Sequence, residues 1–201
     1  MFDIRCKAKK SICYLEYGAE GMPNLHSKHP KRGDHSEEYQ SKYHEYMLRC
    51  FKKNPFMWGT YVWNMFDFAA DARNQGGEPG MNHKGLVTFD RKIKKDSFYL
   101  YKAYWSNEPF IHICSKRYAN REGKSMIIEI YTNMNNADLY VNGKLIKTLS
   151  GEKVLKCKIK MSEVNKIKVI SNGISDNAIF YMVKKKDKNY ILSNNKSQNW
   201  I

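Results

Sequence analysis

Long apolar runs are missing from this 201-residue sequence. No run of about eighteen apolar residues is present, so no segment could cross a bilayer as a helix. Residues 1–7 also hold no apolar stretch of signal-peptide length, so that a signal could come only from an upstream part. We therefore expect a cytoplasmic protein without a membrane partner. Hydrophobic residues nevertheless make up 42% of the chain, which is enough for a packed core.

Closely spaced cysteines are missing as well. The five cysteines form no C-x-x-C pair, and three of them lie inside apolar runs, which is typical of structural free thiols. His26, His29, His35 and His44 lack the H-E-x-x-H spacing of a zinc site. We predict no protein-bound zinc and no cofactor in this chain.

Acidic residues are few beside the basic ones. The chain has 35 Lys and Arg but 20 Asp and Glu, which gives a net charge of +15. This excess is spread over both halves, and most lysines stand singly between apolar residues, as at 156–160. Only residues 184–186 form a block of lysines, and no nucleic-acid-binding motif is present. Such a pattern is typical of strands with a solvated face, so we expect no nucleic-acid partner.

The N-terminal half alternates predicted strands and helices. Apolar runs at 12–15 and 56–67 predict two buried strands, the first of which ends at Glu16. One helix is predicted over 36–53, with Ser36 as its N-cap, and a second helix is predicted over about 94–105. Long polar loops follow the carboxyl ends of both strands, which is where (β/α)8 barrels place active sites. Two βα units cannot close such a barrel, so they either pair with further chain or belong to a smaller fold.

Glu16 stands at the end of the first predicted strand and precedes a loop that contains Gly18 and Gly21. A carboxylate in this position is costly to bury unless it is paired, hydrogen-bonded or used in chemistry. The residues alone leave two interpretations open: a strand-end glutamate that caps a loop, and a reactive carboxylate.

The C-terminal half predicts antiparallel β structure. Asn142-Gly143 between two apolar runs is a strong hairpin signal, and short runs recur at a spacing typical of an immunoglobulin-like β-sandwich. These runs lie at 110–114, 126–132, 137–141, 145–149, 154–159, 166–170 and 178–183. We therefore predict an α/β part at 1–107, an all-β sandwich at 108–184 and a flexible tail at 185–201.

Three stretches resemble, in this order, the C-terminal part of the catalytic barrel of glycoside hydrolase family 2, which contains β-galactosidases and β-glucuronidases. They are residues 16–21 (EYGAEG), 61–68 (YVWNMFDF) and 82–91 (NHKGLVTFDR). Residues 108–183 resemble the immunoglobulin-like domain that follows this barrel in many bacterial members. The resemblance implies a partial (β/α)8 barrel, made of its last two βα units, followed by an immunoglobulin-like sandwich.

The resemblance also implies roles for four residues. Glu16 matches the family's nucleophile, which forms a covalent glycosyl-enzyme intermediate. Trp63 matches an aromatic residue that lines the sugar subsite, with core packing as its alternative. Asn82 and Lys84 match a pair that contacts the carboxylate of the sugar acid in β-glucuronidases, with loop anchoring as the alternative for Lys84.

The substrate stays open between two sugars. The Asn-x-Lys spacing favours a glucuronide, whereas residues 69–74 and the following sandwich favour a β-galactoside, which we place first. An alternative of another class is a non-catalytic carbohydrate-binding module in which the sandwich is the working part.

Retaining hydrolysis also needs a second carboxyl group. In this family that acid/base residue lies upstream of the nucleophile, as do the magnesium ligands of some members. Asp3 is the only carboxylate before Glu16, and Glu20 matches no acid position of the family. We therefore expect little or no hydrolase activity from this chain alone. The strand edges of an incomplete barrel would also favour homo-oligomers.

Overall fold

The computed structural model describes residues 12–74 and 76–192. The first half comprises β1 (Ile12–Tyr17), α1 (Glu37–Lys52), β2 (Met57–Val62), β3 (Phe68–Ala69), β4 (Met81–Asn82) and α2 (Asp96–Trp105). The second half comprises β5 (Ile111–Ile113), β6 (Asn120–Glu122), β7 (Ser125–Thr132), β8 (Asn136–Val141), β9 (Lys144–Ser150), β10 (Val154–Lys160), β11 (Val164–Ser171), β12 (Ile174–Val183) and a 3-10 helix (Lys188–Tyr190). Asp3, Cys6 and the end of the predicted tail lie outside the described residues.

The longer strands of the first half, β1 and β2, pair in parallel. The second of them ends at Val62 rather than at the predicted residue 67. Beyond Val62 the backbone changes partner, because Leu86 N donates to Asn64 O over 3.0 Å and Asp67 N donates to the carbonyl oxygen of residue 87 over 2.9 Å. Residues 64–67 therefore belong to a loop that pairs with another loop.

The β1–β2 pair carries exposed apolar side chains. Leu15, Trp58 and Tyr61 are 70%, 69% and 59% exposed. The prediction of two fully buried strands is therefore wrong in the described part of the chain, where these two strands form a sheet of their own. The described sheets are not closed into a barrel. The partial (β/α)8 barrel and the association of copies through exposed barrel edges stay predictions.

Both helices form close to where the sequence predicts them. The Oγ of Ser36 accepts a hydrogen bond from Tyr39 N over 3.2 Å, which caps the first turn of α1. The second helix begins at Asp96 and ends at Trp105. Neither of these helices, within the described residues, is long and apolar enough to cross a bilayer.

The buried face of α1 is more polar than its periodicity predicts. Glu37, Gln40 and His44 are each 0% exposed. They are buried because partners reach them from α2: Asp96 N donates to Glu37 Oε1 over 2.7 Å, and His44 Nδ1 lies 2.9 Å from the hydroxyl of Tyr101. Burial and the charge of a nearby lysine lower the pKa of His44 to about 3, so its ring is neutral. The helix therefore packs through hydrogen-bonded polar side chains as well as through apolar ones.

The C-terminal half forms a β-sandwich, as predicted. One sheet has three strands in the order β10-β7-β5, and the other has five in the order β6-β12-β11-β8-β9. Their facing sides enclose an apolar core that includes Ile128, Leu139 and Phe180. Asn142 and Gly143 join β8 to β9 with φ of 50° and 82°, the positive values that two-residue hairpin turns require.

Strand β6 has no counterpart in the predicted runs. It has three residues without an apolar pattern, and it forms because it pairs in parallel with the end of β12. Sequence periodicity does not report such a partner.

A second apolar cluster joins the two halves of the chain. It includes Met47 and Leu100 from the helices and Phe110, Cys114 and Tyr131 from the other side of residue 107. The predicted boundary at residue 107 is therefore crossed by a shared core, and the domain limits stay a prediction. The four described cysteines are free thiols, as predicted.

Part of the predicted tail packs on the body of the protein. The ring of Tyr190 lies 4.9 Å from the His26 ring and 5.3 Å from the Tyr118 ring, between centres. His26 N also donates to Tyr190 O over 3.0 Å. The 3-10 helix thus covers the loop that precedes α1.

Two carboxylates share one lysine where α1 meets the sandwich. Lys156 Nζ lies 2.8 Å from Glu129 Oε2 and 3.3 Å from Glu45 Oε2. Burial, together with the hydrogen bond and the charge of Glu45, raises the pKa of Glu129 to about 8. At neutral pH Glu129 therefore keeps a proton, and the two carboxyl groups hold one negative charge beside the ammonium group.

This retained proton predicts that stability falls as pH rises. The ordinary pKa of Glu129 is 4.5, so above that pH the unfolded chain releases a proton that the folded protein keeps until about pH 8. The contribution is complete below 4.5 and is lost as pH passes about 8. We expect Glu129→Gln, which keeps a donor for Glu45, to lose less stability than the wild type between about pH 5 and 8.5 in urea denaturation.

Glu163→Gln is the matched control, because this exposed glutamate lies on the same sandwich. It should follow the wild type across the pH range. An identical pH dependence for Glu129→Gln and the wild type would contradict the buried proton.

Candidate functional site

Two neighbouring residues at the end of β1 differ in burial. Tyr17 is buried, and its hydroxyl accepts a hydrogen bond from the Tyr101 hydroxyl over 2.9 Å. The pairing of β1 with β2 is irregular between Tyr14 and Tyr17, and Glu16 in this stretch is exposed. The nucleophile candidate therefore stands at the carboxyl end of a parallel strand and is accessible from solvent.

The turn after Glu16 touches the end of β2. Trp63 N donates to Tyr17 O over 2.8 Å, and a methyl group on Gly18 would lie 1.9 Å from Trp63 O. Only glycine permits this approach, which places Trp63 beside the turn that carries Glu16. The Trp63 ring is 39% exposed and meets the Phe68 ring edge-on at 5.9 Å between centres. An exposed indole face in this position is suited to stack on a sugar ring.

The loop after β4 lies against the same turn. A methyl group on Gly18 would lie 3.6 Å from Lys84 Cβ, and the buried Asn82 accepts a hydrogen bond from Lys84 N through Oδ1 over 2.9 Å. Asn82 therefore shapes the loop from which Lys84 projects. The structure brings Glu16, Trp63 and Lys84 to one place, with Asn82 behind Lys84.

The charge of Lys84 depends on its neighbours. Burial, followed by the positive charge of Arg73, lowers the pKa of Lys84, whereas the carboxylates of Glu20 and Glu16 act in the opposite direction. The ammonium group thus stands in the electric field of Glu16.

An ion pair that the sequence analysis did not predict supports this loop. Glu20 Oε1 lies 2.6 Å from Arg73 Nη2, and Glu20 Oε2 accepts a hydrogen bond from His83 N over 2.8 Å. Gly21 N donates in turn to His83 O over 3.0 Å. The partners of Glu20 are 53 and 63 residues away along the chain, so no local pattern reveals them.

A fully buried lysine lies beneath both segments. Lys95 is 0% exposed, and its Nζ donates to Asp67 Oδ1 over 2.8 Å. Burial lowers the pKa of Lys95, and the charge and hydrogen bond of Asp67 oppose that effect. Gln40 Nε2 donates to the carbonyls of Ala19 and Gly85 over 3.0 and 3.1 Å. The site therefore rests on a buried polar network.

One group of described residues has the composition of a metal site. The ligand atoms of Asp96, His112 and Cys114 lie within 4.8 Å of one another, and all three residues are buried. Asp96 already accepts hydrogen bonds from His112 Nε2 and Ser115 N over 2.8 and 2.6 Å, and burial raises the pKa of the Cys114 thiol. These hydrogen bonds explain why the three residues lie together: they form part of the interface between the two halves of the chain.

No family model matches the chain. A β-glucuronidase of Bacteroides fragilis is 41% identical over 139 residues, which cover 61% of this chain and 20% of that protein. The β-galactosidase BoGH2A of Bacteroides ovatus is 28% identical over 102 residues, which cover 50% of this chain and 12% of that protein. The crystal structure of an FMN-binding β-glucuronidase from Facaelibacterium prausnitzii L2-6 superposes with a TM-score of 0.85 at 42% identity, over 89% of this chain and 28% of that one.

These comparisons indicate the class of enzyme that the chain resembles. The relatives are glycosidases, and the structural neighbours are enzymes of the family 2 type with β-sandwich domains. The chain spans about a fifth of the length of the Bacteroides fragilis relative. Several β-glucuronidases are more similar to the chain than the β-galactosidase BoGH2A is.

The contact at Gly18 generates a prediction about the site's assembly. In Gly18→Ala the new methyl group would overlap Trp63 O at 1.9 Å, so β1 and β2 must separate there. We expect a loss of at least about 3 kcal/mol in the free energy of unfolding, since overpacking against backbone cannot be relieved by a side-chain rotation. Urea denaturation measures this loss.

Gly59→Ala is the control on the same strand pair, because its methyl group meets only the Cys13 sulfur at 3.2 Å. It should cost much less. Equal losses for the two variants would contradict the close approach of Trp63.

Proposed function

We propose that the protein is a retaining β-glucuronidase in which Glu16 is the nucleophile. In this proposal β1–α1 and β2–α2 are the last two βα units of a (β/α)8 barrel, followed by an immunoglobulin-like sandwich. The observation that carries it is the position of Lys84, whose Cβ lies against Gly18, two residues after the exposed Glu16 at the end of a parallel strand. The similarity to β-glucuronidases supports the same assignment.

The charge of Lys84 favours a glucuronide over a galactoside. A glucuronide carries a carboxylate on its ring, and a charge-assisted hydrogen bond to an ammonium group is about twice as strong as a neutral one. A galactoside offers a neutral hydroxymethyl group instead, which leaves the cation without an anionic ligand. The β-galactoside that the sequence analysis placed first therefore becomes the alternative substrate.

The proposed reaction has two steps. A Glu16 oxygen attacks the anomeric carbon and forms an ester while the bond to the leaving oxygen breaks, and an acid group protonates that oxygen. Water, deprotonated by the same group, then attacks the anomeric carbon and releases Glu16 as a carboxylate. Trp63 would support the sugar face, and Asn82 would act by holding the loop of Lys84 rather than by direct contact.

Glu20 is not assigned the acid role, although it is near Glu16 in the chain. Both of its oxygens are engaged, one with Arg73 Nη2 and one with His83 N. No acid/base residue is assigned among the described residues, so we still expect little or no hydrolase activity from the 201-residue chain alone. Some members of the family use magnesium, and the proposal includes a magnesium ion only by analogy with them.

Substrate discrimination tests the proposal in the protein expressed from its complete gene. Glu16→Gln should abolish hydrolysis of 4-nitrophenyl β-D-glucuronide, because the amide cannot form the ester. Lys84→Met should lower kcat/KM for the glucuronide by about a hundredfold, since it removes a charged partner of the carboxylate. The same variant should leave the corresponding β-galactoside within about threefold.

Lys42→Met is the matched control, because Lys42 is an exposed lysine of α1. It should leave both substrates unchanged. A wild-type protein that hydrolyses the galactoside in preference, or a Lys84→Met variant that loses both activities equally, would contradict the glucuronide assignment.

The alternative to an enzyme is a non-catalytic carbohydrate-binding module. It predicts glycan binding that depends on the sandwich and survives Trp63→Ala. The exposed position of Trp63 beside Glu16 favours the enzyme.

A further inference from the structure

Glu20 joins two loops that are far apart in the sequence. Its Oε1 lies 2.6 Å from Arg73 Nη2, between β3 and β4, and its Oε2 accepts a hydrogen bond from His83 N over 2.8 Å, after β4. The side chain of Glu20 is 14% exposed and that of Arg73 is 9% exposed. The carboxylate is therefore fixed in direction by two bonds and largely shielded from water.

Lys84 follows His83 directly and is held from both sides. Its own backbone N–H is bound by Asn82, and the preceding N–H is bound by Glu20. Lys84 Cβ also lies against Gly18, two residues after Glu16. The direction of the Lys84 side chain thus depends on two hydrogen bonds, of which the one from Glu20 is charge-assisted.

Four charges meet around Lys84, and they balance. Lys84 and Arg73 are positive, whereas Glu16 and Glu20 are negative. Burial and Arg73 lower the pKa of Lys84, and Glu20 and Glu16 counteract them. Beneath them Lys95 is neutralised chiefly by Asp67, with a smaller contribution from Glu20. Without Glu20, the positive charge of Arg73 would disfavour the cationic form of Lys84. Of these two carboxylates, Glu16 alone would then be left to offset it.

We propose that Glu20 is a positioning residue for Lys84: its carboxylate fixes the loop and offsets the charge of Arg73, so that Lys84 stays cationic and directed at the site. The part of this inference that concerns a sugar acid rests on the proposed function. The part that concerns Lys84 itself rests on the contacts of Glu20 alone.

The contribution of Glu20 to the charge of Lys84 becomes more important during the reaction. When Glu16 forms the ester with the anomeric carbon, it loses its negative charge. Of the two protein carboxylates that support the Lys84 cation, Glu20 alone then remains charged. The substrate carboxylate would therefore stay bound to a protonated Lys84 through the covalent intermediate. Glu20 contributes in this way without touching the sugar.

The first test measures the pKa of Lys84 in the 201-residue chain. Lysine labelled with 13C at Cε reports each ammonium group by NMR, and Lys84→Arg assigns the signal. We expect Glu20→Gln to lower the pKa of Lys84 further, because the charge of Arg73 is no longer offset. Glu20→Gln with Arg73→Gln should return the pKa of Lys84 towards the wild-type value, which a merely structural role of Glu20 would not produce.

Glu78→Gln is the matched control, because Glu78 is a carboxylate of the same loop that bonds His83 Nε2 and is exposed. It should leave the pKa of Lys84 unchanged. If Glu20→Gln does not fold, Arg73→Gln alone should raise the pKa of Lys84. Three results would each overturn the proposal. The pKa of Lys84 could be unchanged in folded Glu20→Gln, or it could be no closer to the wild-type value in the double variant. It could also fail to rise in Arg73→Gln.

The second test separates this inference from the proposed function. In the protein expressed from its complete gene, Glu20→Gln should lower kcat/KM for 4-nitrophenyl β-D-glucuronide by about tenfold, mainly through KM, and more strongly as pH rises. Glu78→Gln should stay within about twofold. A Lys84 pKa that responds as expected, with no preference for the glucuronide in any variant, would support the positioning role and overturn the substrate assignment.

Discussion

Hydrogen bonds between two short segments, residues 16–21 and 82–85, determine whether the candidate site exists. Neither segment forms a regular element long enough to hold its side chains alone. Glu20 and Gly21 bind the backbone of His83 on both sides, and Gln40 of α1 binds a carbonyl in each segment. Ordering two loops separately would cost conformational entropy for each residue, whereas mutual bonding orders them together. Glu16 and Lys84 share a site because their loops share these bonds.

The same constraint explains why so many charged groups are buried in the first half. A buried charge is costly unless it is paired and hydrogen-bonded, and removing one partner leaves the other uncompensated. Lys95 binds Asp67, and Glu37 binds Arg117, so each pair satisfies this condition. The Glu37–Arg117 pair links α1 to the second half of the chain, and the Lys95–Asp67 pair links the residue before α2 to the loop after β2. The polar network therefore supports both the fold and the candidate site.

Features that depend on neighbours in sequence were predictable, and those that depend on distant partners were not. The cap at Ser36 and the turn at Asn142 follow from local chemistry, and both occur as predicted. The polar buried face of α1 and the end of β2 at Val62 depend on partners from other elements, which periodicity does not report. The motifs located Glu16 and Trp63, but they did not reveal Glu20 as the support of Lys84. The similarity to β-glucuronidases favours the alternative substrate over the β-galactoside that was placed first.

Covalent trapping tests the role of Glu16 most directly. The protein expressed from its complete gene would be incubated with 2-deoxy-2-fluoro-β-D-glucuronyl fluoride, whose fluorine at C2 slows hydrolysis of the ester. Peptide mass spectrometry would then locate the added sugar. We predict a single label on Glu16, with Glu20 unmodified because both its oxygens are engaged. A label on Glu20 or on another carboxylate, or no label in a protein that hydrolyses glucuronides, would contradict this assignment.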